Sequence, residues 1–116
     1  MIVKRGEVYY ADMPTPRGSE QGGKRPILIL QNDVGNKYST TTIAAPITSR
    51  FRKLVQPTHI RVKSKCLPKK SIVLLEQITT IDKNRLINKM GQLSKKQMEK
   101  IEAGMLVSLG IRKGEI

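Results

Sequence analysis

"GSEQGGKRPILILQND", residues 18–33, sets a polar, glycine-bearing turn directly against a run of aliphatics. "PILILQ" (26–31) is short, rich in β-formers and bounded by turn residues, so it reads as a strand about to be buried. The turn before it makes separate demands. Gly22 and Gly23 permit a backbone path that residues with a Cβ resist, and so can bring main chain close to a ligand. Arg25 precedes Pro26, which biases Arg25 towards extended geometry at the mouth of the strand. A guanidinium placed there can clamp two phosphate oxygens in a planar fork. The turn lacks the spacing of a Walker loop and no helical pattern follows it directly.

Outward from this strand the chain is mostly β. "EVYYADM" (7–13), "TTIAAPITS" (41–49), "THIRV" (58–62) and "SIVLLEQITTI" (71–81) are further strand patterns separated by Gly, Pro, Asn and Lys clusters. Alternation in "HIRVK" places Ile60 and Val62 inward and Arg61 and Lys63 outward. Strands at this spacing, with no long helical pattern between them, suggest a small antiparallel barrel. The end of the chain differs. Ser94 and Gln97 have capping-box spacing, Gly110 is a stop, and Met98, Ile101 and Met105 fall on one helical face with Leu109 close by. A short helical turn at 82–86 precedes the strand "INKMGQL". The fold class expected is mainly β with α (α+β), in a single domain spanning residues 1–116.

Charge narrows the partner. The chain holds 22 Lys and Arg against 9 Asp and Glu, a formal net charge of +13. Residues 34–75 carry nine basic side chains and no acid. Such a field implies a polyanionic partner. No apolar run approaches a membrane span, and the first residues lack the apolar centre of a signal peptide, so a cytoplasmic protein is expected. One cysteine, Cys66, excludes an internal disulfide, and only His59 could join it as a soft metal ligand. His59 reads as a packed or surface histidine. No metal and no cofactor are expected.

Two more stretches carry polar groups where apolar ones would do. "AAPITSR" (44–50) ends a strand on Thr48 and Ser49, with Arg50, Arg52 and Lys53 in the loop that follows. Hydroxyls at a strand end near an arginine suit phosphate contact, although Thr48 taken alone is more often a strand-capping hydroxyl. "LLEQITTID" (74–82) sets Glu76 and Gln77 in an otherwise apolar run. Burying them unpaired is costly, so they are satisfied structurally or face a groove, where an amide suits the edge of a base.

Taken in order, "VKRGEVYYADM", "GSEQGGKRPILILQND", "GNKYS", "APIT", "PTHI" and "LLEQITTID" resemble the MazF/PemK family of toxin endoribonucleases, most closely its Gram-positive branch, from Met1 to about Gly110. The resemblance implies an SH3-like, CcdB/PemK-like barrel, a homodimer, and sequence-specific cleavage of single-stranded RNA, chiefly mRNA. It puts the family's catalytic arginine on Arg25, its catalytic threonine on Thr48, and a loop glutamate with an acid–base role on Glu20. Ser19, Gln21 and Lys24 in the first stretch join Ser49, Arg50, Arg52, Lys53, Glu76 and Gln77 as candidate RNA contacts. A cognate acidic, MazE-like antitoxin is the implied protein partner. The chain departs from the relatives' "LEQIRTID" at Thr79.

RNA carries its own nucleophile. In-line attack by a 2′-OH on the adjacent phosphate gives a 2′,3′-cyclic phosphate and a 5′-OH, with Arg25 stabilising the charge that builds up, Thr48 orienting the phosphate, and Glu20 the easier base. A nucleic-acid-binding module without catalysis and a gyrase-poisoning toxin on the same barrel are the alternatives. An anionic-membrane binder lacks the amphipathic apolar face it would need.

Overall fold

The computed structural model describes residues 2–14, 16–18, 20–50 and 56–112. These form β1 (Glu7–Met13), β2 (Gly23–Ile29), α1 (Asp33–Tyr38), β3 (Thr41–Thr48), β4 (His59–Val62), β5 (Ser71–Leu74), β6 (Thr79–Asp82), β7 (Leu86–Gln92) and α2 (Lys95–Leu109). All strand pairs are antiparallel.

β2 shows why "PILIL" lacks polar alternation: both of its faces are covered. Leu28 and Leu30 enter one apolar cluster with Val8, Ile47, Val73 and Leu75, while Ile27 and Ile29 enter a second with Tyr9, Ala44 and Ile81. A strand packed on two sides reads as a continuous apolar run. β3 is the hub beside it. One edge of β3 pairs with β2, setting Ile27 opposite Pro46 and Ile29 opposite Ala44. Its other edge is divided, with Thr41–Ala44 on β6 and Ile47 and Thr48 on β5.

That division corrects the single strand expected over 71–81. β5 stops at Leu74, a 3-10 turn occupies Leu75–Gln77, and β6 begins at Thr79. The chain has to step from one stretch of β3 to another. The step buries Leu75 and brings Glu76 outward. The 82–86 expectation is met by a 3-10 turn at Lys83–Arg85 leading into β7. Helix α1 was not foreseen; the Asn32 side chain caps it by accepting from Gly35 N–H at 2.8 Å.

α2 forms as its signals predict. Ser94 Oγ accepts from Gln97 N–H at 3.1 Å, Gln97 Oε1 accepts from Ser94 N–H at 3.3 Å, and Gly110 closes the helix in the left-handed region at φ 69°. Met98 and Ile101 are buried and Met105 is half-buried against the first cluster. Leu109 is not part of the stripe: it is 58% exposed. The stripe continues instead through Gly104, which lies against Leu75 and Ile60, to Ser108, whose hydroxyl donates to Leu75 O at 2.6 Å.

The sheet runs β4-β5-β3-β2-β1-β7, and its two ends curl towards each other. Cys66, a few residues beyond β4, packs on β7 so closely that a Cβ on Gly91 would stand 2.5 Å from the Cys66 Cβ. This closure matches the small barrel expected.

Candidate nucleic-acid interface

The 18–25 turn folds back on itself through its glycines. A Cβ on Gly22 would stand 2.4 Å from Pro16 Cδ and 2.7 Å from Pro14 O, and Gly23 has φ 73°. The folded turn then holds the arginine: Arg25 Nε donates to Gly22 O at 2.9 Å. This single bond fixes the plane of the guanidinium and leaves its terminal N–H groups for an anion. Arg25 and Thr48 lie two residues beyond Ile27 and Pro46, the last pair of the β2–β3 ladder, and so at the same end of that pair of strands. Thr48 Oγ1 accepts from Arg50 N–H at 3.1 Å, so its own proton remains available to donate. Partial burial, reinforced by the nearby Arg50 charge, lowers the pKa of Arg25 from the ordinary arginine value.

Arg25 and Thr48 open into a hollow of about 590 Å³ that Gln21, Lys24, Ser49 and Arg50 also line. Six of the residues picked out in the sequence thus converge. Tyr10, Leu67, Pro68, Lys69, Ser71 and Met90 complete the walls and were not singled out. Lys69 belongs to the acid-free stretch, which was the available signal for it. Tyr10 reaches the site by standing opposite Pro26 in the β1–β2 ladder, a relation no local pattern reveals.

A second hollow, of about 310 Å³, lies on the other side of Gln21. Glu20, Gln21, Glu76 and Gln77 line it together with Met13, Pro14, Pro16 and Thr79. Gln21 N–H donates to Gln77 Oε1 at 2.8 Å, which ties the turn to the Leu75–Gln77 step. Glu20 Oε1 accepts from Arg17 N–H at 2.8 Å. Glu20 therefore lines this hollow and not the one holding Arg25 and Thr48. The two hollows differ in character, the first rich in cations and the second in carboxylates and amides. Ser19, Arg52 and Lys53 lie outside the described residues.

Among the described residues no three His, Cys, Asp or Glu side chains converge to hold a metal. No helix among them is long and apolar enough to cross a membrane.

Residues 4–109 match the family described as PemK-like, MazF-like toxins of type II toxin–antitoxin systems. The chain is 47% identical over 113 residues to endoribonuclease EndoA of Bacillus subtilis, covering 96% of this chain and 97% of that protein. It is 52% identical over 112 residues to endoribonuclease MazF of Staphylococcus saprophyticus, covering 95% and 93%. Among solved structures it is similar to a mycobacterial endoribonuclease in complex with its cognate antitoxin, with TM-score 0.79, 25% identity, and coverage of 95% of this chain and 97% of that one. The fold is shared with MazF of Deinococcus radiodurans at TM-score 0.81 and 22% identity, over 95% and 98% of the two chains.

Proposed function

We propose, because this chain belongs to the family of PemK-like, MazF-like toxins of type II toxin–antitoxin systems, that it is a sequence-specific endoribonuclease acting on single-stranded RNA. The observation that carries this reading is the convergence of Arg25 and Thr48 in one cation-lined hollow. A scissile phosphate bound there meets the terminal N–H groups of Arg25 and the Thr48 hydroxyl. The 2′-OH of the preceding nucleotide attacks phosphorus, the bond to O5′ breaks, and the products are a 2′,3′-cyclic phosphate and a 5′-OH. Charge accumulating on the phosphorane oxygens is stabilised by a donor already held in place by Gly22. The Arg25 guanidinium keeps its own proton and stabilises the departing O5′, which takes up a proton from water.

The nucleotide bearing the 2′-OH then crosses Gln21, with its base in the second hollow. Its ribose lies beside Gln21, which both hollows share, and Glu20 of the second hollow accepts the 2′-OH proton. Glu20→Gln should accordingly flatten the acidic limb of the pH–rate profile, and an unchanged profile would remove Glu20 from proton transfer.

The attacking group belongs to the substrate, so the mechanism requires no metal-bound hydroxide. The test is to map 5′ ends of RNA treated with purified protein in EDTA. Cuts at a defined sequence, leaving 5′-OH and cyclic phosphate ends, are expected. Activity lost in EDTA and restored by one divalent ion would overturn the mechanism. Residues 1–116 act here as one toxin domain, in the cytoplasm where the RNA is, as a homodimer held inactive by an acidic antitoxin. That antitoxin's segment lies along Lys24 and Arg50 and competes with RNA, because matched fields favour its association. A ternary complex with unchanged RNA affinity would contradict this.

A further inference from the structure

His59 is the one histidine of the chain. β4 sets it opposite Leu74 of β5, so its ring reaches the Leu75–Gln77 step that follows. There Nε2 lies 2.7 Å from Oε2 of Glu76. Only 10% of the histidine side chain and 29% of the glutamate side chain are exposed. Nδ1 is buried and has no hydrogen-bond partner among the described residues. An N–H buried without an acceptor is rarer in folded proteins than an unused acceptor. The geometry favours the tautomer whose Nε2–H donates to the carboxylate.

This tautomer bears on the second hollow, which Glu76 lines beside Gln21 and Gln77. Oε2 of Glu76 is committed to the imidazole, and Oε1 is the acceptor that remains. We propose that His59 is a positioning residue for base recognition: it holds the Glu76 carboxylate so that Oε1 accepts from the exocyclic amino group of an RNA base seated in that hollow. A carboxylate only accepts, so it favours amino-bearing bases, cytosine N4 being the usual partner of a glutamate, over uracil with its two carbonyls. The Met13, Pro14 and Pro16 wall supplies the apolar contact that a base plane needs. The assignment rests on the RNA-cleaving function proposed above.

The experiment compares wild type, Glu76→Gln, His59→Leu, His59→Gln and the Glu76→Gln/His59→Leu double variant on an RNA pool randomised around the cut site, with 5′ ends mapped. Glu76→Gln and His59→Leu should each relax the preference for an amino-bearing base at the same single position by about tenfold or more. The double variant should relax it no further. His59→Gln, whose amide nitrogen can replace Nε2 as donor, should retain the preference. For Glu76→Gln and His59→Leu, kcat/KM on the preferred sequence should fall by about tenfold or more, while His59→Gln stays near wild type. In the wild-type protein without RNA, ¹⁵N spectra should show the imidazole proton on Nε2. A His59→Leu protein that loses thermal stability but keeps the wild-type base profile would overturn the assignment, leaving a packing role. So would a ring protonated only on Nδ1. Should His59→Leu fail to fold, the ring spectrum and the Glu76→Gln profile decide the matter. A wild-type protein that cleaves no RNA would overturn the proposed function itself, a failure distinct from an altered or unaltered profile.

Discussion

At Arg25 one hydrogen bond, Nε to Gly22 O, ties the turn to the guanidinium proposed to hold the scissile phosphate. Neither Arg25 nor Thr48 belongs to an apolar cluster. Arg25→Ala and Thr48→Ala should therefore keep the wild-type circular dichroism while kcat falls by roughly 10²- to 10³-fold, the usual cost of a preorganised charge stabiliser. An unfolded Arg25→Ala protein would contradict that. Tyr9 gives a second prediction. Burial, the Glu7 charge and a hydrogen bond to Glu7 all raise its pKa above the ordinary tyrosine value. The unfolded chain ionises near pH 10 while the folded one still keeps the proton. Stability is thus whole below about pH 10 and is lost as pH rises through the folded value. Urea midpoints measured from about pH 9 to about pH 11 should fall for wild type and fall less for Tyr9→Phe; parallel curves would refute the assignment. Glycine, proline and hydroxyl signals mark Arg25 and Thr48 locally only as strand-end residues, and the roles proposed for them came from the family resemblance. Tyr10 and Met90 were not legible even so far, because they arrive through strand register.

Among the elements, β5, β6 and the step between them were the hardest to read. "SIVLLEQITTI" has the composition of one strand, and only the pairing of β3 with both halves requires it to break at Leu75–Gln77. Composition reports burial; it does not report which partner lies alongside. α1 escaped for a related reason, being one short turn with Val34 and Gly35 inside it and a single Asn32 cap as its signal. α2 was readable because cap, stripe and stop agree. Its anchor, Ile101, is fully buried in the first cluster. Ile101→Ala should cost about 2–5 kcal/mol in urea unfolding, as buried aliphatic truncations do. A loss under about 1 kcal/mol would show that the helix is only loosely docked.

Over the whole molecule, charge is the property that the sequence reported most directly, and the fold sorts it. Lys24, Arg25, Arg50 and Lys69 reach one hollow from three separate stretches of chain. If three to five phosphates are neutralised there and along the adjoining surface, log affinity for single-stranded RNA should fall against log salt with a slope of about −2 to −3.5. A slope near zero would mean that this surface does not hold RNA. The division of β3 has one more consequence, and it concerns time. A ribosome delivers Arg25 and Thr48 early, but β5, which pairs with the Thr48 end of β3, and β7, which pairs with β1, come much later in the chain. Lys69, Ser71 and Met90, which wall the first hollow, belong to that later half. Pairings distant in sequence form slowly and only after both partners exist. A half-made chain carries Arg25 and Thr48 without the walls that Lys69, Ser71 and Met90 supply. The order of the strands thus leaves Arg25 and Thr48 without the full walls of their hollow until Met90 has been made.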